Sequence, residues 1–505
     1  MTGGQMRSAF KPTSFVTCIG GKARNASALV TLLLTPALSG CFLGTERPDL
    51  NLEIPTTYRE AARGKLDAAV PVLDWWRGFR SKELTSLMDD AQIANLDIAV
   101  AIAQIVQADA QVGISGAPLL PTLTGTAMAE RARDATFTAG GLGSSTTFSQ
   151  FNLGLTASYM VDFWGKNRAT LYAAEESASV ARYNREVVTL TTIVTVANTY
   201  FQILAAQDQL RVARSNLAAA ERILALIKEQ FAGGTASQLD LSQQEALVAT
   251  QRASIPPLEV TLRQNIAALA LLVARAPANF KVSGGTTTQI KVPRVTPGLP
   301  SELLYQRPDI RQAEAQLASS NFSVEAARAA FFPQIQLTAQ TGVQSAALAS
   351  LFAPGAWFYT LSASLTQPIF DGFLLESQLK QAKGVQLQFL QAYRKAVLSA
   401  FADVEMALVA LAKFTLQEKL QADVVTASRK AFEVSETQYR GGTVNLLTVL
   451  QTQQTLFTAE NALVLVRLSK LLAASSLFQA LGGGWTPTGT VSSLQPAPNQ
   501  NGRTF

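Results

Sequence analysis

The sequence predicts a mainly α-helical chain with a transmembrane β-barrel part: long coiled-coil helices plus four β-strands, arranged as two structural repeats. Three observations carry this. Motifs recur in order at a near-constant offset. Two stretches of more than sixty residues lack proline and almost lack glycine. Between the helices, apolar and polar residues alternate strictly.

The chain begins with Arg7, Lys11, Lys22 and Arg24, with no acid among them, then an apolar run from Ala26 to Ala37. Leu38-Ser39-Gly40-Cys41 closes it. A charged region, a short apolar region and small residues before a cleavage point make a signal peptide. The cysteine after Leu-Ser-Gly resembles a bacterial lipobox, so the expectation is a lipoprotein signal over 1–40 and an acylated Cys41. The alternative is an ordinary signal peptide with an incidental cysteine.

Of 505 residues, removal of 40 leaves 465, and four basic residues leave with them, lowering the net charge from +6 to +2. The basic pI is therefore partly a signal effect and implies no nucleic acid. Cys18 and Cys41 are the two cysteines, so the mature chain would hold no disulfide. Beyond the signal, no stretch reads as long and uncharged enough to span a bilayer as a helix. The chain has no histidine and no phosphate-binding loop, and an enzyme would lack the usual general bases.

The repeat comes next. Asp97-Ile98, Ala101, Gln104 and Pro121 return 212 residues later as Asp309-Ile310, Ala313, Gln316 and Pro333. Gly165 returns as Gly372. Gln230-Phe231-Ala232-Gly233-Gly234-Thr235 returns at offset 208 as Gln438-Tyr439-Arg440-Gly441-Gly442-Thr443, followed by Leu239 and Gln243 as Leu447 and Gln451. Order and offset make an internal duplication. The expected organisation is a signal over 1–40, a lipid-anchored segment over 41–82, repeat 1 over 83–285 and a linker over 286–302. Repeat 2 follows over 303–482, then a tail over 483–505. Each repeat reads helix, two strands, very long helix, Gly-Gly turn, helix.

Lys166 to Phe231 has no Pro or Gly, and Phe373 to Arg440 has only Gly384. Each could reach about 100 Å at 1.5 Å per residue. Leu190, Val194, Ala197, Phe201 and Leu204 step by four and three, and Val397, Phe401, Val404, Leu408 and Leu411 repeat the spacing. That is a coiled-coil seam. On the heptads alone, a soluble helical bundle explains them equally well.

The intervening segments separate the two. Phe151, Leu153, Leu155, Ala157, Tyr159 and Val161 alternate with Asn152, Gly154, Thr156, Ser158, Met160 and Asp162. Ile335, Leu337 and Ala339 alternate with polar neighbours, as do Trp357, Tyr359, Leu361, Ala363 and Leu365. Period two with a greasy face and a wet face is a strand of a water-filled barrel. The first strand, from Leu119 to about Phe137, is interrupted by Glu130 and Arg131, which would mark its extracellular end. Four strands cannot close around water, and open edges are forbidden in lipid. The barrel must be shared with copies of the same chain.

Across the mature chain the sequence resembles the TolC-like outer membrane factors, in the NodT-like lipoprotein branch that serves tripartite, RND-type efflux systems. The most specific stretch runs from Leu303 to Pro333, with Gln306-Arg307-Pro308-Asp309-Ile310-Arg311 and Ala329-Ala330-Phe331-Phe332-Pro333. Asp74-Trp75-Trp76-Arg77-Gly78-Phe79 resembles the opening of the family's first half, and Phe42 after the cysteine fits export to the outer membrane. The resemblance implies a homotrimer with a twelve-stranded barrel and a periplasmic tunnel of twelve helices. It also implies a periplasmic adaptor and an inner-membrane RND-type transporter as partners, passive passage, and no cofactor beyond covalent lipid at Cys41.

The resemblance further places the gate at the Gly-Gly turns: Gly233, Gly234, Gly441 and Gly442. A lock between a tyrosine and an aspartate matches Tyr439 and Asp240, and a charge-assisted hydrogen bond there would be worth roughly 1.5–3 kcal/mol. The family's second lock uses an arginine where this chain has Val444. Its ring of aspartates at the constriction matches Thr448 and Gln451, neither charged. Without the resemblance, Asp240 reads as an acid favoured at a helix N-terminus and the glycines as turn formers. Two other functions stay open: a channel for protein export in a type I system, with the same architecture, and a lipid-anchored coiled-coil scaffold without a pore. Six methionines and no histidine give no support to metal export.

Overall fold

The computed structural model describes residues 55, 58, 73–136, 144–293 and 300–485. The expected signal peptide, Cys41, most of the N-terminal segment up to residue 72 and nearly all of the C-terminal tail lie outside the described residues. Repeat 1 contains α1 (Lys82–Ala94), α2 (Leu96–Gly116), β1 (Thr122–Thr136), β2 (Ser144–Val161) and α3 (Lys166–Ala232). It returns through α4 (Gln238–Ala253) and α5 (Ile255–Leu272). Repeat 2 contains α6 (Pro300–Gln306), α7 (Pro308–Ala329), β3 (Gln334–Ser345), β4 (Trp357–Thr366), α8 (Leu374–Arg440) and α9 (Leu446–Ala480).

The two long helices are each 67 residues and unbroken, α8 running straight through Gly384. Both start just after a left-handed residue: Gly165 at φ 77° before α3, Phe373 at φ 67° before α8. Their predicted seams are packing surfaces. Val194, Ala197, Phe201 and Leu204 are buried in one core cluster, with Leu190 against it. Val397 and Val404 are buried in a second, with Phe401, Leu408 and Leu411 against it. The aromatic segment before α1 anchors the first cluster. Trp75, Trp76 and Phe79 are buried, and Trp75 stacks on Phe478 with ring centroids 4.7 Å apart.

The strands form one antiparallel sheet in the order β1-β2-β3-β4. The register carries the predicted alternation across the sheet. Leu153, Val343 and Trp357 stand in one row, and so do Ala157, Ala339 and Leu361. The intervening rows are polar, such as Thr156, Gln340 and Thr360, or Ser158, Thr338 and Ser362. One face is therefore apolar and aromatic, the other hydroxyl and amide. Where sheet meets helix, Trp164 Nε1 donates to the Pro333 carbonyl at 2.9 Å and its ring stacks on Phe332, joining the two repeats.

Three expectations change. Glu130 and Arg131 do not interrupt β1: they stay in register, opposite Gln150 and Ser149, and the strand continues to Thr136. Paired backbone, not side-chain polarity, decides where a strand of an antiparallel ladder ends. The return helix of repeat 1 is two helices. Pro256 and Pro257 lack N–H groups and crowd the preceding turn, so α4 ends and α5 starts around Ser254. Finally, the stretches 82–119, 166–232 and 446–480 each contain a window apolar and charge-poor enough to cross a membrane as a helix. In the second and third about half of that window is buried inside the protein, at 56% and 50%, so its apolar character is packing surface. In the first, 11% is buried.

Candidate functional site: the helical tip

The far ends of both long helices turn through the same motif. Gly234 and Gly442 sit at φ 74° and φ 72°, a left-handed conformation in which a Cβ is strained. Gly233 and Gly441 have right-handed helical φ, so their backbone does not require glycine. In each turn the glycine pair and threonine close back on the helix. Thr235 N donates to the Gln230 carbonyl at 2.8 Å, and Thr443 N to the Gln438 carbonyl at 2.9 Å. The threonine hydroxyls reinforce the same two carbonyls at 3.0 Å.

The return helices are then capped differently. In repeat 1, Ser237 Oγ accepts from Asp240 N, and the Asp240 carboxylate accepts from Ser237 N at 2.9 Å and from Ser237 Oγ at 2.7 Å. That is a complete capping box. In repeat 2, Asn445 Oδ1 accepts from Thr448 N at 3.1 Å and from Thr448 Oγ1 at 2.8 Å. Asp240 and Thr448 thus hold equivalent places in two caps.

The expected hydrogen bond between Tyr439 and Asp240 is not formed. Tyr439 OH donates instead to Gln230 Oε1 at 2.8 Å, tying the end of α8 to the end of α3. The physical reason is competition: both oxygen-directed donors around Asp240 come from Ser237, three residues away, at no cost in chain closure. Asp240 remains close enough to act through space. Burial pushes the Tyr439 phenol above its ordinary pKa, and the Asp240 charge adds to it. Gln230 was not singled out as a gate residue by sequence reading, although it opens the repeated Gln-x-x-Gly-Gly-Thr motif.

Apolar packing lies beneath Tyr439. Ile223, Ile227, Phe432, Leu446, Val449 and Leu456 form one buried cluster, with Tyr439 and Leu241 against it. Leu447 points away and is exposed. Gln451 is exposed and Thr448 half-buried. Two glutamines are fully buried in this region. Gln244 Nε2 donates to the Ala220 carbonyl at 2.7 Å, while Gln453 has no hydrogen-bond partner for either side-chain atom. The tip is held by turns, caps and a cross-repeat hydrogen bond between Tyr439 and Gln230.

The model of the family described as "Outer membrane efflux protein" matches residues 87–275 and 299–483. The first matched block falls within 83–285 and the second overlaps 303–482. The chain is 38% identical over 461 residues to the pyoverdine export outer membrane protein OpmQ of Pseudomonas aeruginosa, covering 90% of this chain and 97% of that protein. It is 30% identical over 414 residues to the probable outer membrane lipoprotein SilC of Salmonella typhimurium, covering 81% and 88%. Among solved structures, the open state of the Neisseria gonorrhoeae MtrE outer membrane channel superposes with a TM-score of 0.75 at 28% identity, covering 87% of this chain and 97% of that one.

Proposed function

Because the chain belongs to the outer membrane efflux protein family, we propose that this outer-membrane channel works as a homotrimer gated at its helical tip. The barrel crosses the outer membrane and the long helices form the periplasmic part. The observation that supports the trimer is the sheet itself. Its edge strands β1 and β4 each leave one side unpaired, and lipid offers no water to satisfy those backbone groups. Three copies joined edge to edge would give twelve strands and a closed barrel around the hydroxyl- and amide-lined face. Apolar side chains left exposed along the helices, such as Val100 and Val106 on α2 and Leu398 and Met406 on α8, suit burial between copies.

In this reading substrates of a tripartite pump leave passively through the tunnel. A periplasmic adaptor engages the tip around Gly233, Gly234, Gly441 and Gly442, and an inner-membrane RND-type transporter supplies the energy. Tyr439 and Gln230 hold the resting tip, Asp240 contributes negative charge beside them, and Thr448 and Gln451 line the constriction. Covalent lipid at Cys41 adds a second hold on the membrane.

Detergent-solubilised protein should have the mass of three chains and conduct ions when inserted in planar bilayers. A monodisperse monomer with intact secondary structure would refute the shared barrel. A trimer that never conducts would favour the scaffold reading.

A further inference from the structure

The first long helix lies beside the return helices of both repeats. Along α3, the segment α4–α5 packs on one flank and α9 on another. The second contact is substantial: Gln209 Nε2 donates to Asn461 Oδ1 at 3.1 Å, and Ser475 Oγ to Asn198 Oδ1 at 2.5 Å. The two repeats have the same length from helix to turn to helix, and both seams are built of similar aliphatic residues. Shape alone therefore says little about which return helix belongs to which long helix.

The charges do say so. In repeat 1 an acid on the long helix meets a base on the return helix: Arg252 Nη2 to Glu221 Oε1, 2.7 Å. In repeat 2 the two positions 208 residues on are Arg429 and Glu460, paired at 2.6 Å. The place is the same and the signs are exchanged. A second layer repeats the exchange. Arg214 on α3 meets Glu259 on α5 at 2.8 Å. Glu418 on α8 meets Arg467 and Lys470 on α9 at 3.1 and 2.9 Å. Glu259 and Arg467 are again 208 apart, and their long-helix partners differ by one turn in the aligned repeats. In a third layer Lys228 meets Glu245 at 3.7 Å. The counterparts are Glu436, which turns to Arg440 of its own helix at 2.7 Å, and the uncharged Gln453.

Exchanging the return helices would turn these attractions into repulsions. With α9 on the α3 seam, Glu221 would face Glu460 and Arg214 would lie against Arg467. With α4–α5 on the α8 seam, Arg429 would face Arg252, Glu418 would approach Glu259, and Glu436 would face Glu245. Most of these pairs are partly exposed, and such pairs add little to stability. Their arrangement nonetheless discriminates between partners, which is how charge commonly sets specificity between similar surfaces. We propose that the exchanged ion pairs form a pairing code: they assign each long helix to its own return helix and reject the other repeat's return helix, whether from the same chain or from a second copy.

The test uses the full chain refolded in detergent, with cysteine pairs as reporters. Ser435→Cys with Thr452→Cys reports native α8·α9 pairing, because those hydroxyls lie 2.7 Å apart. Ser435→Cys with Gln244→Cys reports α8 against α4, Gln244 being the repeat 1 counterpart of Thr452. Disulfides are mapped by mass spectrometry after mild oxidation. The exchange E221R/R252E keeps the native attraction in repeat 1 but makes both swapped pairings attractive at that layer. It should raise the α8–α4 disulfide roughly tenfold, as should R429E/E460R, because two repulsions become two attractions. The fourfold variant E221R/R252E/R429E/E460R restores opposite codes and should return to the wild-type ratio. If the twofold exchanges give no more of the wrong disulfide than the parent, the code is overturned. It is equally overturned if the fourfold variant mispairs as much as the twofold ones. Twofold variants that fail to fold while the fourfold variant folds would support it.

Discussion

Asn95 and Arg307 occupy equivalent places 212 residues apart, and each fastens the start of one helix to the end of another. Asn95 Nδ2 donates to the Leu272 carbonyl at 2.8 Å, where α5 ends. Arg307 Nη1 donates to the Ala480 carbonyl at 3.3 Å, where α9 ends. Asn95 also caps α2, its Oδ1 accepting from Asp97 N and Ile98 N. Arg307 instead donates to Asp309 at 3.0 and 2.7 Å and to Asp403 at 3.0 Å.

Truncation should therefore cost more in repeat 2. Arg307→Ala would leave two carboxylates and a carbonyl without their buried cation. The carboxylates left behind are more than a third exposed, so the expected loss is about 1.5–3 kcal/mol, the range for hydrogen bonds to charged groups. Asn95→Ala, which removes a cap, should cost about 1–2 kcal/mol. Urea unfolding of the detergent-solubilised protein measures both, and equal losses would contradict the ranking.

The tip lock predicts a non-additive pair. Tyr439→Phe removes the bond to Gln230, worth about 1 kcal/mol, and should raise resting conductance in planar bilayers. Gln230→Ala should do the same, and the double variant should leak no more than either single one. If the increments add, the two side chains act separately. Gln451→Asp should strengthen cation preference, read from the reversal potential, without raising the resting leak.

Acid should loosen the α8·α9 hairpin through Glu418. Burial alone would raise its pKa, but hydrogen bonds from Lys470 and Arg467 outweigh burial and lower it below 4.5. A carboxyl with a depressed folded pKa contributes above its unfolded value, and that contribution is lost as pH falls through the folded value. The stability difference between the native chain and Glu418→Gln should be constant above about pH 5 and shrink below it. A difference that grows on acidification would show the opposite sign.

The barrel alternation is checked by labelling. With a water-soluble thiol reagent in intact membranes, Thr360→Cys and Ser362→Cys should react, and Tyr359→Cys and Leu361→Cys should not. Leu361→Arg should cost assembly about 2–4 kcal/mol if it lies near the midplane. Uniform labelling along β4 would mean that its two faces are not wet and greasy.

Much of this fold is written locally. Helix length shows in the absence of Pro and Gly from Lys166 to Phe231, and strand faces show in period two, because both depend on near neighbours. Pro256 and Pro257 carried a legible break that the repeat pattern, with its unbroken counterpart around Glu460, concealed. The partner of Tyr439 was not legible in the same way. Gln230 lies 209 residues away, and choosing it over Asp240 required knowing that Ser237 already engages that carboxylate. The apolar windows of α3 and α9 were unread because their hydrophobic residues are scattered among alanines and threonines.

The break at Ser254 gives the two repeats different stiffness. One return limb is divided at mid-length, where Pro256 and Pro257 leave backbone carbonyls without N–H partners; the other, α9, is a single rod of 35 residues. In a ring of three copies, divided and rigid staves would alternate around the cask. A strain applied at the tip would then be absorbed at three joints spaced evenly around the axis, so the aperture would widen as a triangle, not as a circle.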